Sequence, residues 1–141
     1  MVNNMRKSLV AIASAALVFG LVACSDVVGL GYGNLIGEYD LRTFNGFSLP
    51  VILYDDGIEQ DELLSERFTI YADGSYADDY TLRISSRNGQ TTSTFRDVGT
   101  YTQYDTQLQF VDGRTGEAFN GELNGRTLTI AQGGNFLVYQ R

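Results

Sequence analysis

The 141-residue chain contains no histidine and no tryptophan, one cysteine and one proline. Without imidazole it has no side chain whose ordinary titration falls near neutral pH, and no histidine ligand for a metal. A single cysteine excludes an intrachain disulfide and a thiolate zinc cluster. Positive charge is scarce as well: 10 Lys and Arg stand against 17 Asp and Glu, a net charge of −7. A nucleic-acid binder needs a basic patch to displace counterions, so this balance argues against that class of partner. Carboxylates, hydroxyls, tyrosine and arginine are left to carry any chemistry, and no residue pattern calls for a cofactor. The length suits one domain of ordinary size.

The longest hydrophobic run lies at the start. Arg6 and Lys7 precede an apolar stretch from Leu9 to Ala23, broken only by Ser14 and Gly20. This is the charge-then-apolar order of a secretory signal, and it is too short to span a bilayer comfortably. It ends Leu21-Val22-Ala23-Cys24, which resembles the lipobox of bacterial lipoproteins. The resemblance implies a leader over 1–23, cleavage before Cys24, and acylation of Cys24. Two or more acyl chains hold stably to a membrane where one holds weakly. Ser25 follows the cysteine, which by resemblance to enterobacterial sorting favours the outer membrane, facing the periplasm or the cell surface. Loss of the leader removes Arg6 and Lys7 and leaves eight arginines against 17 acidic residues, a net charge of −9. Such a surface is repelled by anionic lipid, so the acyl chains would supply the membrane attachment. Residues 24–34 then form the lipidated cysteine and a Gly-rich flexible tether (Val27 to Asn34), and 35–141 the folded domain.

From Leu35 onward, short alternating runs are separated by turn dipeptides. Asn-Gly occurs at 45–46, 88–89, 120–121 and 124–125, and Asp-Gly at 56–57, 73–74 and 112–113. These pairs accept positive φ and are the strongest short-range hairpin signal. Asn120-Gly121 is too close to Asn124-Gly125 for both to be turns, so one glycine belongs inside a strand, at an expected bulge or bend. The alternation predicts strands near 36–44, 48–54, 64–72, 76–87, 90–103, 106–111, 117–123, 126–132 and 135–140. Ile58 to Leu64 is the exception and reads as a helical turn or an acidic loop. Pro50 lacks an N–H, which assigns 48–54 to an edge or its first residues to a strand start. Consecutive hairpins without a crossover helix predict an all-β, up-and-down antiparallel β-barrel of about eight strands, closed so that no edge is left open.

The order of motifs resembles that of small lipocalin-like bacterial lipoproteins. Gly37-Glu38-Tyr39 is similar to the Gly-x-Trp start of lipocalins, with Tyr in place of Trp. Phe44 to Pro50, Ala72 to Tyr76, Val98 to Thr102, Gly121 to Ile130 and the ending Tyr139-Gln140-Arg141 resemble further segments of the family, over nearly all of 35–141. The resemblance implies a small eight-stranded barrel, and a structural role for Gly37, Tyr39 and Arg141. In lipocalins an arginine near the last strand packs over the first-strand tryptophan, and Arg141 over Tyr39 would be that cation–π pair.

Several residue sets are candidates for function. Asp78-Asp79 and Asp97 are candidates to face the barrel interior, Asp78 and Asp97 sharing the parity of Tyr80 and Phe95, and a carboxylate pair there would have a raised pKa and could act in glycosidase fashion. The plainer reading places Asp78 near a hairpin end, with Asp97 in solvent or paired with an arginine. Asp55, Asp56, Glu59, Asp61, Glu62 and Glu66 suit calcium by ligand type, but their spacing does not match a calcium loop, and a solvated acidic loop is the default. Nine Tyr and eight Phe are available for a barrel interior. Fourteen large residues, from Leu41, Phe68, Ile70, Tyr80, Leu82, Ile84 and Phe95 through Tyr101, Leu108, Phe110, Phe119, Leu123, Leu128 and Ile130, suffice to fill eight strands. Alternatively Tyr39, Tyr80 and Tyr101 line a cavity for a small hydrophobic ligand. The expectation is therefore a non-enzymatic envelope lipoprotein, with neither metal nor cofactor. It either binds a small apolar molecule or acts as a structural or interaction module with a filled core.

Overall fold

Asn45 and Gly46 have φ of 51° and 85°, the left-handed pair that a two-residue hairpin turn requires. They join β1 (Gly37–Phe44) to β2 (Phe47–Ser48). The chain then runs through β3 (Val51–Asp55), β4 (Glu59–Ile70), β5 (Ser75–Ser86), β6 (Gly89–Tyr104), β7 (Gln107–Asp112), β8 (Ala118–Asn124), β9 (Thr127–Gln132) and β10 (Asn135–Gln140). This computed structural model describes residues 35–141; the leader, Cys24 and the tether lie outside the described residues.

From β3 to β10 each strand pairs antiparallel with its neighbour in sequence, and β10 returns to pair with β1. The sheet closes through β1 and β4, with Gly37 opposite Ile70 and Asp40 opposite Arg67. Eight strands, β1 and β4 to β10, make the barrel. This is the up-and-down antiparallel barrel that the hairpin signals and the lipocalin resemblance implied. β2 and β3 stay outside it at the two ends of the strand order. The cis Leu49-Pro50 bond separates them, so 48–54 is two short edge strands rather than one.

Residues 58–64 are a correction. They form neither a helical turn nor a loop: Glu59 to Leu63 extends β4, pairing with β5 on one side and β3 on the other. This half of β4 rises beyond the barrel wall as part of a β3–β6 arm. Only Leu63, Val51 and Leu82 at the root of the arm meet the core, so little imposes on Glu59 to Glu62 the period-two pattern that would have revealed a strand. A register shift between Leu63 and Ser65 marks where the arm meets the wall.

The arm also explains which predicted core residues are not buried. Leu41, Phe68, Ile70, Leu108, Phe110, Phe119, Leu123, Leu128 and Ile130 are buried as expected, joined by Leu35, Tyr39, Leu63, Tyr76, Leu137 and Tyr139. Tyr80, Leu82, Ile84 and Tyr101 are only partly buried and Phe95 is 40% exposed; for Leu82, Ile84 and Phe95 this is because β5 and β6 are leaving the barrel there.

The lower half of the barrel is filled by aromatic rings. Phe68 stacks on Tyr76 at 4.8 Å, Phe110 stacks on Phe119 at 5.1 Å, and Phe68 meets Phe110 edge-on at 5.0 Å. Pairs of this geometry contribute about 0.5–1.5 kcal/mol each beyond their burial. Asn120-Gly121 lies inside β8, but the ladder runs through it without a bulge. Its glycine serves close packing instead: a Cβ there would stand 2.8 Å from Cε2 of Phe110.

A carboxyl-floored pocket in the barrel mouth

The two ends of the barrel differ. At the base, where β1 starts and β10 ends, the interior is sealed. Tyr39 is fully buried and its hydroxyl donates to the Leu35 carbonyl at 2.7 Å. The Arg141 guanidinium lies 5.5 Å from the Tyr39 ring centre and donates from Nη1 to the Ile36 carbonyl at 2.7 Å. Gly37, with φ of 145°, clears the way: a Cβ there would meet Arg141 Nη1 at 3.0 Å. The chain end is also tied down, since Arg126 Nε donates to the Arg141 carbonyl at 2.8 Å.

At the other end, where β1 finishes and β10 begins, the rings stop and an open cavity of ≈ 370 Å³ remains. Phe44, Leu53, Leu63, Tyr80 and Leu137 supply its apolar walls, and Gln132, Asn135 and Glu117 its rim. The rim is stitched to the β1–β2 turn: the Asn45 N–H donates to the Phe136 carbonyl, the Phe136 N–H donates to Asn45 Oδ1, and Asn45 Nδ2 donates to Asn135 Oδ1.

Glu66 of β4 and Asp78 of β5 contribute the deeper polar surface of this cavity. Glu66 is only 9% exposed and accepts a hydrogen bond from the Tyr139 hydroxyl, which reaches it from β10. Burial pushes the Glu66 carboxyl up and the tyrosine bond pulls it back in part. Tyr139, nearly enclosed, is pushed well above the ordinary tyrosine value, chiefly by burial and then by the Glu66 and Asp78 charges. Asp78 has Oδ1 sealed from solvent without a hydrogen-bond partner. Burial first, then the charges of Glu66, Asp97 and Asp79, push its carboxyl up to about 9.

This arrangement corrects the plainer reading of Asp78. It is not at a hairpin end but four residues into β5, opposite Phe68 and between Tyr76 and Tyr80 on the inner face. Asp97, directly across the ladder from Asp78, faces Arg114 at 4.0 Å, as the arginine-pairing reading had it. Asp79 pairs outward with Arg96 at 3.7 Å.

Of the three tyrosines considered for ligand contact, Tyr80 lines the cavity and stacks on Phe95 at 5.4 Å. Tyr39 lies at the sealed base, and the Tyr101 hydroxyl donates to the Tyr71 carbonyl. The acidic run of 55–66 does not converge. Asp55 and Asp56 accept backbone N–H groups of their own turn, which hold both carboxyls below the usual range. Glu62 pairs with Arg83, and Glu66 turns inward. Among the described residues no three acidic side chains meet as metal ligands.

The sequence reading missed Glu66 and Tyr139 as interior polar residues. The signal was present for both: Glu66 alternates with Phe68 and Ile70, and Tyr139 with Leu137. Glu66 was hidden by its place in an acidic run that looked like a loop.

The fold and pocket together define an eight-stranded antiparallel barrel with one closed end and one open, acid-floored mouth. Among solved structures the chain is similar to a lipocalin-like protein from Bacteroides uniformis, at 15% identity over 77% of this chain and 99% of that one, with a TM-score of 0.44. It is also similar to an uncharacterized protein from Bacteroides eggerthii, at 17% identity over 76% of this chain and 98% of that one, with a TM-score of 0.42. No protein-family model and no curated protein matches the chain.

Proposed function

We propose that the barrel is a binding module that holds a small, largely apolar molecule in its mouth, and that acyl chains on Cys24 present it at the bacterial cell envelope. The carrying observation is the cavity itself. Its ≈ 370 Å³ falls among small-molecule sites, which span about 300–1,000 Å³, and its mixture of apolar walls with a few inward polar groups is their usual lining. The aromatic core fills the lower half of the interior, and the cavity lies above it. The reading assigns no catalytic role.

The test is native mass spectrometry of the full chain carrying Cys24→Ser, expressed with its own leader and purified without detergent. A co-purifying mass that is lost on denaturation supports the reading. The absence of any adduct, together with no thermal shift across a panel of small apolar compounds, refutes it.

One observation favours a second reading, an interaction module. β2 and β3 expose Phe47 at 71% and Ile52 at 56%, which line one shallow hollow with Pro50 and Val51. Contiguous exposed apolar surface of this kind marks contact sites. Analytical ultracentrifugation and cross-linking in intact cells, with Phe47→Ser as the control, separate this reading from the first.

A further inference from the structure

The cavity has a charge signature that an apolar ligand alone does not account for. Three carboxyl side chains, Glu66, Asp78 and Glu117, line it, and no arginine or lysine does. Elsewhere several carboxylates have arginine partners: Glu38 and Asp40 with Arg67, Glu62 with Arg83, Asp79 with Arg96, Asp97 with Arg114. In the cavity the floor carboxyls have only the Tyr139 hydroxyl, which is taken up by Glu66. Asp78 Oδ1 is sealed from solvent without any donor, although buried acceptors are nearly always satisfied. A hydrogen-bond partner is therefore missing from the floor of a pocket whose walls are apolar.

Resting on the small-molecule reading above, we propose that the ligand is an amphipathic amine whose ammonium group donates to Asp78 and Glu66 while its apolar body lies against Leu63, Tyr80 and Leu137. An anionic head group would face three carboxyls without a counter-charge. An alcohol would offer one donor and no charge. A bare metal ion finds no convergent set of three acidic ligands among the described residues. The chain's net charge of −7 adds a long-range pull on cations.

The proton balance is explicit. Asp78 is faced by Glu66 from β4, Asp97 from β6 and Tyr139 from β10, with Tyr76, Asp79 and Tyr80 on its own strand and Arg114 beyond Asp97. In that setting the empty site keeps the Asp78 carboxyl protonated at neutral pH. The carboxyl releases its proton to solvent as the already charged ammonium enters, so binding strengthens as pH rises.

The experiment is calorimetric titration of the full chain carrying Cys24→Ser with n-octylamine, 1-octanol and octanoate at pH 6, 7 and 8. The expected result has octylamine binding about 10–100-fold tighter than octanol and octanoate weakest. Octylamine affinity should rise by up to about tenfold per pH unit with one proton released, and octanol affinity should not change. Asp78→Asn should remove most of the preference for octylamine over octanol. Equal affinities for the three probes, a preference for octanoate, or an amine affinity independent of pH overturns the amine assignment while leaving the apolar-ligand reading intact. Binding of none of the three overturns both. The comparison of probes in the unmutated barrel decides the matter even if Asp78→Asn fails to fold.

Discussion

Asp78 and Arg141 show at the residue scale how burial sets the worth of a charge. An aspartate whose folded-state pKa is raised to about 9 keeps a proton that the unfolded chain gives up near pH 4. The folded state then binds more protons than the unfolded state between those values, and stability falls as pH rises through that window. We expect thermal melting followed by circular dichroism to give a melting temperature that declines from pH 5 to pH 9. One such proton sets a limit of about 1.4 kcal/mol per pH unit. Asp78→Asn, which has no proton to lose, should flatten the profile; an unchanged slope in the variant would show that Asp78 is solvated. Arg141 makes the opposite case. Its guanidinium is held against the Tyr39 ring and the Ile36 carbonyl at a sealed end, whereas Arg67 bridges Glu38 and Asp40 with half of its side chain in water. Exposed ion pairs contribute about 0–1 kcal/mol even when the geometry is good. Urea denaturation should therefore show Arg141→Ala costing about 1–3 kcal/mol and Arg67→Ala less than about 1.

Elements that belong to the barrel and elements that leave it should differ in stability. The lower parts of β4, β5 and β6 pair on both edges and pack on the aromatic core, whereas Glu59 to Glu62, Arg83 to Ser86 and Gly89 to Phe95 form an arm outside the buried core. β6 is bare on one side there, since its pairing with β7 begins only at Gly99. Local opening is easiest where few apolar contacts would be lost. Hydrogen exchange by mass spectrometry should find the amides of 83–95 exchanging at least tenfold faster than those of 107–112 and 127–132, and equal protection would mean that another surface covers the arm. The same division explains what could be read in advance. The β5–β6 hairpin was legible from the Asn-Gly of its turn, and β8, β9 and β10 from strands that alternate against a core, with Asn-Gly again between β8 and β9. The first half of β4 was not, since Glu59-Gln60-Asp61-Glu62 has no buried face to write a period into the sequence. The pocket was half legible. Parity alone put Asp78 inside, but a buried carboxylate is costly enough that solvent looked the better home, and Glu66 vanished into the acidic run.

For the whole molecule, the direction of β1 relates the proposed anchor to the pocket. β1 begins at Gly37, beside the sealed base, and runs toward Phe44 at the mouth. If acyl chains on Cys24 hold the chain, the attachment enters at the closed end and the opening points away from the bilayer. Electrostatics favours the same orientation, because an acidic mouth is repelled by anionic head groups and is best kept in the aqueous space, where a cationic ligand would arrive. Cys24→Ser should then move the protein from the membrane to the soluble fraction without altering ligand affinity. Orientation can be read directly on the anchored protein with single cysteines introduced as Tyr104→Cys near the base and Asn88→Cys at the tip of the arm, each carrying a fluorophore. Lipids bearing a nitroxide near the head group should quench the label at 104 several-fold more than the label at 88. Stronger quenching at 88 would mean that the mouth meets the bilayer, and the ligand would then have to come from the lipid phase rather than from solution.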